Sequence, residues 1–194
     1  MRIALPDPPA DVVPPALADT ARRRELIARS RALGIPRHYG RERSLRQVAE
    51  ARTLAFIGFD ISQRAQWLQP DAARAWLAMR RAAAINLVEL HVVSAFRSVE
   101  YQVGLIERKL ARGLAMDEIL AVSAAPGYSE HHSGRALDIT TPGFAALEEE
   151  FERSSAFGWL VHNAATFGFA LSFPRGNPHR IAYEPWHWCW HRRA

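Results

Sequence analysis

Two short stretches hold the residues best equipped for chemistry. The first is Ser129-Glu130-His131-His132-Ser133-Gly134-Arg135-Ala136-Leu137-Asp138, and the second is Glu184-Pro185-Trp186-His187. Together they offer imidazoles, a carboxylate and a spare glutamate, the donor set of a catalytic zinc site that keeps one coordination position for water. An ion so held lowers the pKa of its water to about 7, and a neighbouring carboxylate can take the released proton. The expected chemistry is that of a zinc hydrolase.

If residues 135–139 are extended, Asp138 and Ala136 face one side while Leu137 and Ile139 face the core. Small Ala136 leaves room for an ion beside Asp138. Gly134 allows a tight turn that folds an upstream histidine back to that ion, and at this level both His131 and His132 remain candidates. Pro185 forbids a regular helix and removes a backbone donor, so residues 184–187 are expected as a rigid, extended or edge piece. That piece would present His187 as a third ligand and Glu184 as the base. Trp186, Trp188 and Trp190 read as core aromatics. His38, His91, His162, His179 and His191 have no partner at ligand spacing and read as structural or exposed. Cys189, the only cysteine, reads as a small buried hydrophobe and excludes an internal disulfide.

These stretches need a scaffold, and periodicity suggests one. Helices are expected from Asp19 or Thr20 to Leu33, from Ser44 to near Gly58 behind a Ser44/Gln47 capping box, and from Pro70 to Ala84. Residues 87–95 alternate as a half-buried strand that delivers Arg97, after which Ser98 caps a helix to about Gly113. A short helix over 116–122, an acidic helix over 144–153 and another over 155–167 closed by Gly168 follow, with strands at 169–173 and 181–188. Helices first and short strands later imply an α+β fold: a small antiparallel sheet flanked by helices, preceded by an N-terminal helical layer. The expected division is an extension and helical layer, 1–86, packed on a catalytic core, 87–194, in one globular unit.

With 48% hydrophobic residues the chain can bury a sizeable core. Glu89 and His91 interrupt the best apolar run, so no membrane span is expected. Residues 1–20 lack the basic start and apolar stretch of a secretory signal, so the chain as encoded reads as cytoplasmic. Net charge is +5 from 25 basic and 20 acidic residues, and the arginines are scattered rather than gathered on one element. No nucleic-acid partner is expected; a mild positive field would also suit an anionic wall polymer.

The two stretches resemble the zinc D-alanyl-D-alanine carboxypeptidases of the VanY type, relatives of the VanX dipeptidases and of the hedgehog fold. The family pattern Ser-x-His-x-x-Gly-x-Ala-x-Asp falls on Ser129, His131, Gly134, Ala136 and Asp138. Glu-x-Trp-His falls on Glu184, Trp186 and His187, and an upstream element aligns with Ser94, Phe96, Arg97, Ser98 and Gln102. The resemblance spans roughly Val88 to His191. It implies one zinc ion per chain on His131, Asp138 and His187, Glu184 as base, Arg97 steadying the oxyanion, and Ser129 and Gln102 bonding a peptide substrate. It further implies action on peptidoglycan stem peptides or other D-alanyl peptides, a substrate class that would also suit the periplasm or cell envelope; a monomer is expected.

Two departures stand out. Phe173 and Phe96 occupy positions where the family commonly has tyrosine, and the loop 175–182 is short. A D,D-dipeptidase, a peptidoglycan endopeptidase and a non-catalytic zinc-containing wall-binding module are the rival readings. A metal-dependent nuclease built on the His131-His132 pair is another.

Overall fold

The computed structural model describes residues 3–192. Helix α1 covers Thr20–Ala32, its first turn capped by the Asp19 side chain, which accepts from the Arg22 backbone N–H at 2.7 Å. A single turn, α2, follows at Tyr39–Glu42.

The helix expected from Ser44 does not form. Ser44 has φ of 51°, outside cap geometry, and residues 45–54 run as an irregular strap. Its backbone bonds go to distant partners: Val48 N–H donates to Gly127 O and Ala51 N–H to His132 O, each at 2.8 Å. Glu50 accepts from Ala18 N–H at 2.8 Å and from Val99 N–H at 2.5 Å. These bonds across the fold displace an i to i−4 ladder that helical spacing alone would have favoured.

The same region holds a hairpin where a helix was expected: β1, Ala55–Phe59, pairs antiparallel with β2, Ala65–Leu68. Buried Asp60 organises the turn, accepting from the backbone N–H groups of Ser62 and Arg64 and from the side chains of Arg64 and Gln66. Helix α3, Pro70–Ile85, forms as predicted, with proline at its first position.

The main sheet contains β3 (His91–Ser94), β4 (Ala136–Thr140), β5 (Phe169–Leu171) and β6 (His187–Trp190), in the order β3-β4-β6-β5 with every pair antiparallel. Trp76 and Met79 of α3 share one buried cluster with Leu137 and Ile139 of β4 and Trp188 of β6. The hydrophobic core therefore runs across the expected boundary at residue 86, and the N-terminal part is a helix-and-hairpin layer.

Helix α4, Val99–Ala111, starts on the Ser98 cap, whose Oγ accepts from Tyr101 N–H at 3.0 Å. It packs on α1 through Leu26, Val99 and Val103 and through an Arg29–Glu107 ion pair of 2.7 Å. The short helix α5 covers Met116–Ala121. In place of the acidic helix there is only a 3-10 turn at Glu149–Arg153, because Leu147 at φ 61° breaks the chain and consecutive glutamates repel. Ser154 then caps α6, Ser155–Asn163, which tightens to a 3-10 turn over Ala164–Phe167 before Gly168 closes it at φ 85°. The last strands are shorter than expected, and residues 181–186 lie outside the sheet. Among the described residues, no helix is long and apolar enough to cross a membrane.

Candidate metal centre

Strand register does the first part of the assembly. Asp138 on β4 stands directly opposite His187 on β6, with Asp138 Oδ1 3.1 Å from His187 Nδ1. His131 enters from a 3-10 turn, Glu130–Ser133, and brings its Nε2 to 3.3 Å from Asp138 Oδ2. Gly134 ends that turn at φ 65°, where a Cβ would meet the backbone nitrogen of Gln69 at 2.8 Å. No other residue fits this turn without strain. The ligand atoms of His131, Asp138 and His187 all lie within 4.8 Å of one another, and all three side chains are buried.

His131 shows what this cluster is suited to hold. Its Nδ1 sits 2.5 Å from the Ala95 carbonyl, which can only accept, so the ring hydrogen is assigned to Nδ1. The remaining Nε2 lone pair is buried, has no hydrogen-bond partner among the described residues and faces a carboxylate oxygen. Burial pushes the ring down to about 4, so it does not supply its own proton there at neutral pH. Two electron-rich atoms facing one another away from water call for a cation, and two imidazoles with one carboxylate suit zinc.

His187 is held at both nitrogens. Nε2 lies 2.9 Å from Glu130 Oε2 and Nδ1 faces Asp138. Burial disfavours its charged form, yet the bonds to Asp138 and Glu130 prevail and raise it to about 10. Glu130 mirrors this: burial would raise its carboxyl, and His187 draws it down to about 2. Asp138 is likewise held well below the carboxylate range by His131, His187 and Arg97 in spite of burial. Glu130 is not among the residues the sequence marks for the site, since it fills an unrestricted position between Ser129 and His131. Its signal is an acidic residue flanking a candidate ligand histidine.

His132 points elsewhere. Its Nδ1 donates to Arg97 O at 2.6 Å and its Nε2 accepts from Gly127 N–H at 3.0 Å, so both nitrogens are occupied. Burial keeps the ring neutral, pushed down to about 3. The structure thus separates the adjacent pair: His131 faces Asp138, and His132 ties two loops together.

Glu184 sits across a tight turn rather than on an extended piece. With Pro185 at its second position, the turn lets His187 N–H donate to Glu184 O at 3.1 Å and brings Glu184 Oε2 to 3.8 Å from His187 Nδ1. Burial raises the Glu184 carboxyl to about 7; Asp138 and Glu130 reinforce the shift and His187 opposes it. Arg97, just beyond β3, lies 3.6 Å from Asp138 Oδ2. Ser129 and Gln102 line a narrow cavity of about 30 Å³ with His131, Glu184 and His187. The Gln102 amide donates to Ala124 O at 2.8 Å, and its buried Oε1 has no partner among the described residues. Phe173, lacking a hydroxyl, packs its ring 4.8 Å from the His187 ring.

A buried histidine–aspartate–histidine cluster on an antiparallel sheet, with an ionisable glutamate beside it, has the donor set of a metal site with a base at hand. The chain belongs to the VanY family: the model for D-alanyl-D-alanine carboxypeptidase matches residues 65–193. The match starts well before Val88, so β2 and α3 are part of the family unit, although packing rather than a motif marks them. VanXYC of Enterococcus gallinarum, a bifunctional D-Ala-D-Ala dipeptidase and D-Ala-D-Ala carboxypeptidase, is 31% identical over 130 residues, 62% of this chain and 65% of that protein. The LD-carboxypeptidase LdcB is similar in structure, with a TM-score of 0.65 and 29% identity over 73% of this chain and 69% of that one. A VanY D,D-pentapeptidase solved with Zn(II) shares the fold at a TM-score of 0.56 and 22% identity, over 74% of this chain and 86% of that one. The chain spans less than two thirds of the length of these curated relatives, from about half upward.

Proposed function

We propose that this protein is a zinc carboxypeptidase that releases the C-terminal D-alanine from peptidoglycan stem peptides or their precursors. The observation that carries the reading is the buried, unpartnered Nε2 of His131 facing the Asp138 carboxylate. His131 through Nε2, Asp138 through its carboxylate and His187 through Nδ1 would hold one zinc ion per chain. When bound, zinc supplies a polarised carbonyl and an acidified water.

The chain's own groups do the rest. Ala95 O fixes the tautomer of His131, and Glu130 holds the Nε2 hydrogen of His187 so that Nδ1 keeps its lone pair for the ion. Glu184, with a value of about 7, suits a base that takes a proton at Oε2 and returns it to the leaving nitrogen. Arg97 brings a permanent charge to the place where negative charge develops on the scissile carbonyl. Ser129 and the free Oε1 of Gln102 offer polar contacts to the peptide backbone.

Two observations weigh against the rivals. His132 has no nitrogen free for a nuclease-type histidine pair. A second cavity of about 370 Å³ adjoins the narrow one and leaves room for residues beyond a dipeptide. The test is Glu184→Ala with a panel of stem peptides and D-alanyl-D-alanine, read by product mass and zinc content. Loss of turnover with zinc retained supports the base; retained hydrolysis refutes it, and a wild-type protein that binds zinc but cleaves nothing favours the wall-binding module.

A further inference from the structure

Lys109 is the only lysine among 25 basic residues, and it lies in the cleft. On α4 it shares a stripe with Leu105 and Gln102, at spacings of four and seven residues, so the helix lays all three along one wall. At 1.5 Å per residue the Cα of Lys109 is about 10 Å along the helix from that of Gln102. A lysine side chain leans back toward the helix N-terminus, which carries its ammonium toward the reacting end of the cleft.

The surroundings are those of a site rather than of a solvated tip. The cavity of about 370 Å³ has an apolar wall of Leu105, Leu147, Ala182 and Trp186, with Arg97 and Glu184 at the end it shares with the narrow cavity. Lys109 is half-buried, and its Nζ donates to Ser123 Oγ at 2.7 Å, which pins the chain end inside. Among the described residues no carboxylate lies within ion-pair distance of Lys109, whereas Arg22, Arg29 and Arg175 all pair with glutamates. An ammonium has three donors, and here only one has a partner among the described residues. Burial pulls its pKa down, with Arg97 adding to the shift and Glu184 opposing it.

We propose that Lys109 and Ser123 form a carboxylate-recognition site in the cleft, so that the preferred peptide carries a free carboxylate within reach of this ammonium. This rests on the peptidase reading of the same cleft. The carboxylate could belong to the released residue, as its C-terminus, or to a side chain on the acyl side of the scissile bond. Both present the same chemistry to Lys109, and substrate choice separates them.

The experiment uses the full chain loaded with zinc, as wild type, Lys109→Met and Lys109→Arg, with folding checked by thermal melting. Three peptides ending in D-alanyl-D-alanine are compared: one with glutamate before that pair, one with glutamine there, and the glutamate peptide with its C-terminus amidated. Binding is read by calorimetry on proteins that also carry Glu184→Ala, and cleavage by kcat and KM. A charge-assisted contact of this kind corresponds to roughly a ten- to hundredfold loss of affinity in Lys109→Met, seen in KM more than in kcat. The loss should be confined to peptides that bear the recognised carboxylate, and Lys109→Arg should restore much of it. Loss abolished by C-terminal amidation assigns the terminus; loss abolished by glutamine assigns the side chain. Equal binding by wild type and Lys109→Met, or an equal loss on all three peptides, overturns the inference. Failure of the wild type to cleave any peptide would instead refute the peptidase reading, while the binding comparison would still decide the role of Lys109.

Discussion

Replacing Glu130 with glutamine removes a negative charge beside His187 while leaving an oxygen that can accept the Nε2 hydrogen. The contact is 2.9 Å long and mostly shielded from water, the side chain of Glu130 being 28% exposed and that of His187 4%. Hydrogen bonds to charged groups contribute about 1.5–3 kcal/mol and neutral ones about 0.5–1.5 kcal/mol, so the substitution should cost about 1–2 kcal/mol. That corresponds to zinc affinity weaker by roughly five- to thirtyfold, within the range for groups that orient a ligand histidine. Glu130→Ala, which leaves no acceptor, should reach about a hundredfold. Competition with a chelator of known affinity measures the change directly, and kcat/KM at saturating zinc should recover part of the loss. Wild-type zinc affinity in both variants would refute the assignment and make Glu130 a bystander of the His187 ring.

Three further outcomes follow from the same geometry. His132→Ala should lower stability by about 2–4 kcal/mol in denaturant titration, since it leaves Arg97 O and Gly127 N–H unpaired, yet keep its zinc; His131→Ala should lose the metal. Gly134→Ala should cost about 2 kcal/mol or more, seen as a lower melting temperature, because it combines a positive φ with a close approach to the Gln69 backbone. For Glu184, a folded value of about 7 against 4.5 unfolded means the proton is held more tightly in the fold, so stability is lost as pH rises through that window. In metal-free protein Glu184→Gln should therefore exceed wild type by up to about 3 kcal/mol at pH 8 and by little at pH 4, measured by chemical denaturation at both values.

Much of this site was legible in one dimension because its parts are local. Asp138, Gly134 and a flanking histidine occupy ten residues, Glu184 and His187 occupy four, and each fragment carries its own chemistry. Helices α1, α3 and α4 were equally legible from Asp19, Pro70 and Ser98, whose capping and first-turn roles depend on neighbours within four residues. Residues 44–59 misled for the opposite reason: they repeat at helical spacing, while Val48 and Ala51 take their backbone partners from residues some eighty positions away. The acidic run at 148–152 failed similarly, its repulsion being visible in the residues but the break at Leu147 only in the backbone.

The sequence by itself determined which residue types could hold zinc and move a proton, since imidazoles, carboxylates and a rigid proline turn have fixed chemistry wherever they fold. Only the tertiary structure decided that His132 ties two loops together, that Glu130 supports His187, and that Lys109 enters the cleft with no acidic partner among the described residues. Those outcomes depend on strand register, on where ring nitrogens find their partners, and on burial. Each joins residues that the chain keeps far apart.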